Sequence, residues 1–464
     1  MNTEYQPVHG VWTSRWVFVL AAAGSAVGLG NLWKFPYIAG EYGGGAFVLV
    51  YLLCIALVGI PIMTAEIGLG RMGGLSPIHT MARLVRDNGV SRKWTGVGFL
   101  GALSGFLLLT FYSVVAGWSL YYVWEMASGA LHEASAEQVK AAFDGLLASP
   151  WVLLGWHTAF MILTMGVVSH GVEKGLERAV RFLMPSLFVL LLILLGYAIQ
   201  SGGFAEGAAF LFTFDFSNLG AEGLLAAMGQ AFFTLSLGLG AIMAYGAYMP
   251  HEITTPSGER KPVSIGSTVL IIAGLDTLVA LVAGLAIFPV VFANGLEPSQ
   301  GPGLIFVTLP LAFGQMPLGI VFGTLFFLLV AFAALSSSIS LGEPLAAWLV
   351  ENGRSRRMAA IVIGFLAWFI GIGTVLSFNV WSDATLGGNT FFDILEFTVS
   401  NIMLPLGGLL IAIFAGWIIK EPRIRKELSM RKFWVYMVWR ALVRVVAPLA
   451  VLPIFINTLI KAFG

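Results

Sequence analysis

Charge is scarce in this chain. Asp, Glu, Lys and Arg make up only 11% of 464 residues, while 58% are hydrophobic. A water-soluble domain carries about 25% charged residues, so a soluble globular protein is excluded. Cysteine is nearly absent as well: Cys54 stands alone, which rules out an intrachain disulfide and a cysteine-based metal site. His9, His79, His132, His157, His170 and His251 are scattered and make no ligand set. The sequence has no phosphate loop, nucleophile elbow or zinc-protease helix, so no enzyme chemistry is indicated. It also lacks the short alternating segments of a transmembrane barrel.

Long apolar runs are what the chain has in abundance. Its mean hydropathy is +0.89. A membrane-spanning helix needs about 20 apolar residues, and about eleven such segments can be marked. They fall near 14–38, 45–70, 95–127, 150–168, 180–200, 222–249, 263–293, 318–350, 358–377, 390–419 and 433–460. The expectation is an all-α membrane protein with about 11 transmembrane helices. The apolar run Val17 to Ser25 continues into Phe35-Pro36 and a second span, so it reads as a span and not as a cleaved signal. Between segments the sequence suggests polar loops, such as 131–149 and the one holding Pro298, Pro302 and Pro310.

Basic residues set the expected orientation. The loops after segments 2, 4, 6, 8 and 10 hold 19 of the 25 Lys and Arg residues, Arg71 to Lys93 in the first and Lys420, Arg431 and Lys432 in the last. The loops on the other side hold Lys140 and little else. This predicts a multi-pass protein of the cell inner (plasma) membrane, N-terminus cytoplasmic and C-terminus outside. The basic loops are topology signals, with no nucleic-acid partner implied. Lipid is the surrounding partner; the sequence leaves the oligomeric state open.

Two segments are poor continuous helices. Segment 1 carries Gly24-Ser25-Ala26-Val27-Gly28-Leu29-Gly30-Asn31, followed by Lys34 and Pro36. Glycine lowers helix stability, and lipid offers no partner to a freed backbone group. Segment 6 carries Gln230 to Gly240, again small and polar at mid-membrane. Interrupted segments at matching positions of two halves point to a 5+5 inverted repeat with discontinuous helices 1 and 6. One transporter domain over 1–464 then divides into repeat 1 (about 14–200), repeat 2 (about 222–419) and an extra helix (about 433–460). Carbonyls freed at such breaks suit a small hard cation.

Ionisable and polar groups inside spans are candidates for function. Asp276 lies deep in segment 7 with no basic residue near it in sequence. A bound cation would offset its charge; a protonated carboxyl bonded to helix backbone is the plainer alternative. Asn31 is either a neutral ligand or a cap at the break. Ser336, Ser337 and Ser338 either serve a second cation or bond back to the preceding turn. Glu66 either holds free N–H groups of a broken helix or sits at the interface beside Arg71. Tyr112 alone would pass as a core tyrosine.

These residues resemble a known family. The run Ala23 to Pro36, the Gly43-Gly44-Gly45-Ala46-Phe47 string, the run Gly59-Ile60-Pro61 to Arg71, the run Gln230 to Gly240 and the Ser336–Ser338 cluster are similar to those of neurotransmitter:sodium symporters. The likeness is greatest to the bacterial amino-acid branch, and it covers nearly the whole chain. The resemblance implies two Na+ sites. The first comprises the Ala26 carbonyl, Asn31, Thr234 and Asp276, completed by the substrate carboxylate. The second comprises carbonyls of Gly24, Val27 and Ala333 with hydroxyls of Ser336 and Ser337. The substrate carboxylate would meet the N–H groups of Leu29 and Gly30 and the Tyr112 hydroxyl. Its amine would meet carbonyls around Ala26, Phe233, Thr234 and Ser236. Its side chain would lie among Leu108, Phe233, Leu239 and Leu341, beside Ser337, with Phe233 as the outer lid.

The implied function is sodium-coupled symport of a small, hydrophobic amino acid by alternating access. A carrier of a non-α amino acid or osmolyte, or a sensor that does not transport, are the alternatives. Departures from the family pattern matter. Chloride-dependent members carry a serine four residues after the Asp276 position; here it is Ala280. Asp276 stands where many members have asparagine, so its fixed charge replaces chloride and no chloride is expected. The outer gate pair becomes Lys34 and Glu396. The inner arginine becomes His9, matched to Glu351 with Tyr248 nearby.

Overall fold

The computed structural model describes residues 9–254, 259–298, 303–430 and 432–463; Pro302 and Arg431 lie outside them. Among these residues nine helices are long and apolar enough to cross a membrane, and Arg15–Ala26 with Gly30–Glu41 form a bent pair at 49°. The expected segments 2 to 5 and 7 to 11 each fall on one of the nine, for instance Pro150–Val168 and Ile265–Ala293. Segment 6 is two shorter helices, Gly220–Thr234 and Ala241–Ala247, parted by six residues. Neither is span-length alone, so among the described residues nine continuous spans stand beside the two interrupted segments, 1 and 6.

Four spans or half-spans and one connecting helix contain a π turn whose cause is legible in the sequence. The turns Gly30–Lys34, Ile55–Gly59, Leu304–Thr308, Thr398–Met403 and Leu442–Val446 each end two residues before a proline: Pro36, Pro61, Pro310, Pro405 and Pro448. Proline donates no N–H and its ring crowds the carbonyl four residues earlier. The preceding turn widens to accommodate it.

The polar loops expected at 131–149 and around Pro298–Pro310 are partly helical. Ala136–Ala148 opens on a capping box formed by Ser135 and Gln138, and Leu309–Gln315 follows a π turn. The basic first loop likewise folds as Pro77–Asn88. The third holds a small hairpin, Glu252–Thr254 against Arg260–Pro262.

Contacts sort these connections to two ends. His9 meets Glu351, Thr13 meets Glu177 and Arg181, Arg71 meets Glu427 and the Val263 carbonyl, and Arg423 meets the Asp87 carbonyl. The basic loops therefore share one end. At the other, Glu133 bonds Gly314, and Asn379 bonds the Leu147 carbonyl.

The centre is built on small residues. Thr95–Ser128 and Gly319–Glu351 pack along their lengths, and Arg15–Ala26 leans on the latter and on Ile265–Ala293. A Cβ at Gly105 would stand 2.8 Å from the Leu239 carbonyl, and one at Gly101 3.1 Å from the Gly240 nitrogen. Bare glycines thus let the long helix run against the break in segment 6, the usual device for close helix approach in lipid.

Candidate functional site

The break in segment 1 frees backbone oxygens by capping the amides that would have claimed them. Val27 is extended at φ −72, ψ 102. The Gly28 N–H donates to Asn31 Oδ1 at 3.0 Å, and the Leu29 N–H to the Tyr112 hydroxyl oxygen at 3.3 Å. In a continuous helix those two amides would serve the Gly24 and Ser25 carbonyls. Those carbonyls turn instead toward segment 8. Ser337 Oγ lies 3.4 Å from Gly24 O, 3.2 Å from Ser25 O and 3.3 Å from Val27 O. Ser336 Oγ lies 3.5 Å from Val27 O and 2.9 Å from Ala333 O. One hydroxyl proton serves one acceptor at a time, so this cluster has more acceptors than donors. The Ser336 bond to Ala333 shows that back-bonding to the preceding turn also occurs.

Segment 6 breaks through left-handed backbone at Ser236 (φ 53), Gly238 (φ 73) and Gly240 (φ 70). Glycine adopts that region freely, whereas Ser236 is strained there. Ser236 Oγ donates to Ser25 O at 2.8 Å and so ties the two breaks together. Glu66 accepts from the Gly238 N–H at 3.2 Å, which fits its reading as a holder of broken-helix amides. Arg71 does not pair with it; Arg71 bonds Glu427 at 2.5 Å.

Asp276 is fully buried. The Asn31 amide donates to its carboxylate at 2.8 Å and to its carbonyl at 3.1 Å, and the Thr234 hydroxyl lies 3.1 Å from each carboxylate oxygen, able to donate to either. These two hydrogen-bonding side chains come from the breaks in segments 1 and 6. Asn31 does double duty, capping with its oxygen and holding Asp276 with its nitrogen.

Between the breaks lies a cavity of about 20 Å³, room for about one water. Every substrate-contact residue named from the sequence lines it except Thr234, which sits beside Asp276. Ser25 and Gly28 line it too. A vestibule of about 380 Å³, walled by Trp33, Phe111 and Asp393, adjoins it and shares Leu29, Tyr112 and Phe233. Leu29, Tyr112 and the Phe233 ring therefore lie at the partition between the two spaces. Lys34 Nζ stands 4.7 Å from that ring and 3.5 Å from Glu396. The contact is single and long, without the two-pronged geometry that the fork of an arginine could give.

At the end where the basic loops gather, His9 Nε2 lies 2.8 Å from Glu351, both side chains 3% exposed. The His9 ring is 5.5 Å from that of Tyr248, whose hydroxyl donates to Glu343 at 2.7 Å. Arg356 forks onto the same Glu343. Trp12 bonds the Tyr245 and Tyr248 carbonyls, which pins the N-terminal stretch across this end. Among the described residues no group of three or more His, Cys, Asp and Glu side chains has the arrangement of a metal site.

The model of the sodium:neurotransmitter symporter family matches residues 9–142 and 148–463. The chain belongs to that family. The symporter is 40% identical to the uncharacterised sodium-dependent transporter YhdH of Bacillus subtilis over 98% of both chains. It is 33% identical to an uncharacterised sodium-dependent transporter of Haemophilus influenzae over 97% of this chain and 98% of that one. Among solved structures it resembles MhsT in complex with L-phenylalanine, at TM-score 0.87 and 43% identity, covering 97% of this chain and 99% of that chain. It is thus a sodium-dependent multi-pass membrane transporter, not an enzyme.

The symporter places residues at the site that sequence reading passed over. Gln230 donates to the Gly30 carbonyl at 2.8 Å, and the buried Tyr51 neighbours Asp276 and Thr234. His79 lies 2.6 Å from Glu351 opposite His9. Gln230 was visible inside the segment 6 run. Tyr51 and His79 carried no sequence signal, since one is a lone aromatic in an apolar helix and the other sits in a connection.

Proposed function

We propose that this chain carries a small amino acid with an apolar side chain into the cell, driven by Na+, through alternating access of a mid-membrane site. The observation that carries this reading is the oxygen-lined gap between two broken helices, with one buried carboxylate at its edge and leucines around its cavity. Sodium is cargo here. One ion would take the Ala26 carbonyl, Asn31, Thr234, Asp276 and the substrate carboxylate. The second would take the carbonyls of Gly24, Val27 and Ala333 and the hydroxyls of Ser336 and Ser337, where acceptors outnumber protons. The substrate carboxylate would replace Tyr112 as acceptor at the Leu29 N–H, at the positive end of a half-helix. Because that carboxylate also touches the first ion, sodium and substrate bind more tightly together than apart.

The cavity must widen to admit an amino acid, and Phe233 is the side chain whose rotation joins it to the vestibule. The 5+5 repeat gives the two breaks equivalent places in the chain, with segment 11 outside the repeat. The gathering of basic loops at one end supports a cytoplasmic N-terminus in the plasma membrane.

Proteoliposomes with an inward sodium gradient should accumulate a small apolar amino acid, and counterflow should be seen without a gradient. Binding without counterflow would make the protein a sensor. Replacing chloride by gluconate should leave uptake within about twofold, because Asp276 supplies a fixed negative charge. Uptake that collapses in gluconate rejects chloride independence.

At the inner gate, His9 and His79 both face Glu351. His9→Ala removes one of the two rings that hold this carboxylate and should loosen inner closure, raising the rate of inward opening. An opening rate equal to the parent's would remove His9 from gating.

A further inference from the structure

A groove of about 790 Å³ opens on the flank of the bundle, away from the transport path. It lies between the start of Arg15–Ala26, the π turn and Pro61 of segment 2, the start of Ile265–Ala293, and Phe433–Ala441. The Trp439 indole donates to the Pro61 carbonyl at 3.1 Å and pins segment 11 to segment 2. Gly266 leaves the adjoining wall bare: a Cβ there would find its nearest neighbour, the tip of Met430, at 3.7 Å. Ala56, Pro61, Leu270, Val438 and Leu442 give the groove an apolar wall.

The rim is charged, and with one sign. Among the described residues Arg15, Lys261 and Lys432 line it, and no carboxylate does. The Arg15 guanidinium rests on the Thr268 and Ser267 hydroxyls at 3.0 Å, neutral partners that leave its charge uncompensated. Lys261 is 3.1 Å from Glu259, but both are more than half exposed, so that pair is weak. Trp16 and Trp434, next to this rim in sequence, are 63% and 62% exposed. Exposed indoles beside a cationic cluster mark the headgroup level of a bilayer. Basic pockets between spanning helices with apolar walls suit acidic lipid heads.

We propose that this groove holds one anionic phospholipid, its phosphate among Arg15, Lys261 and Lys432 and an acyl chain along the apolar wall. A zwitterionic lipid would match the wall, but its own cation would face three others. The site needs only the membrane-spanning fold and is independent of the sodium and substrate assignments. Because Arg15 opens the first half of the broken helix, an occupant would tie that half to segments 2, 7 and 11. It would thereby raise the melting temperature of the protein.

Native mass spectrometry of the delipidated full chain in detergent tests this with phosphatidylglycerol, phosphatidylcholine and inorganic phosphate. One phosphatidylglycerol should be retained at least about tenfold more tightly than phosphatidylcholine, and phosphate alone should not be retained. The exposed Lys261→Gln and Lys432→Gln changes together should weaken phosphatidylglycerol about 30-fold, each cation contributing a factor of about 5. Gly266→Leu should expel the lipid by filling the groove with the charges intact. Equal retention of the two lipids, or parental retention by both variants, overturns the proposal. Retention of phosphate as strong as that of phosphatidylglycerol reduces the groove to a free-anion site and overturns it too.

Discussion

Asp276→Ala is expected to abolish sodium-driven uptake. The carboxylate is fully buried, and its partners, the Asn31 amide and the Thr234 hydroxyl, are neutral. Isolated buried charge is strongly unfavourable in a low-dielectric interior, and a bound cation is what relieves it. Alanine removes that charge and also strands two buried donors, each costing about 1–3 kcal/mol. Apparent sodium affinity should fall by about 100-fold, near the upper end of typical coupling between sites. Amino-acid binding in sodium should fall with it, since the two ligands share a shell. Asp276→Asn separates shape from charge. It keeps an oxygen for Thr234 and should fold as the parent does, yet lose most of the sodium affinity. Monodisperse elution of both variants together with parental sodium-dependent uptake would remove Asp276 from the ion site.

Spans and breaks were legible because lipid imposes two simple rules. A spanning helix must be long and apolar, and its backbone must be satisfied from within. Glycine clusters therefore announce a break even without coordinates, and Gly24–Asn31 and Gln230–Gly240 both fall where helices stop. The lining of the cavity was legible for another reason: the family resemblance fixes which face of each half-helix looks inward. The connections were harder. Pro77–Asn88 and Ala136–Ala148 are short, amphipathic and partly solvated, so they leave no apolar run to find. Their caps were readable: Ser135 with Gln138 is a standard start signal, and Ser76-Pro77 is another. Partners across long sequence separation were not readable at all. That Arg71 joins Glu427, or that His79 shares Glu351 with His9, depends on how loops hundreds of residues apart stack at one end.

Gly28→Ala should nearly eliminate amino-acid binding, although it adds one carbon. A Cβ at this position would overlap Ser337 Oγ and come within 2.9 Å of the Tyr112 hydroxyl. Neither neighbour is free to retreat. Ser337 bridges the Gly24, Ser25 and Val27 carbonyls, and Tyr112 holds the Leu29 amide. Overpacking a fitted interior costs about 1–3 kcal/mol, or about 5- to 150-fold in affinity. Here the displaced groups are those that would meet the ion and the substrate carboxylate, so the loss should lie at the upper end. Gly28→Leu should leave no measurable binding. Equilibrium binding of a radiolabelled amino acid, titrated at saturating sodium, measures the first loss, and repeating it across sodium concentrations measures Ser337's share. If both variants bind like the parent, the substrate does not sit between Gly28 and Tyr112, and the cavity between the broken helices is not its seat.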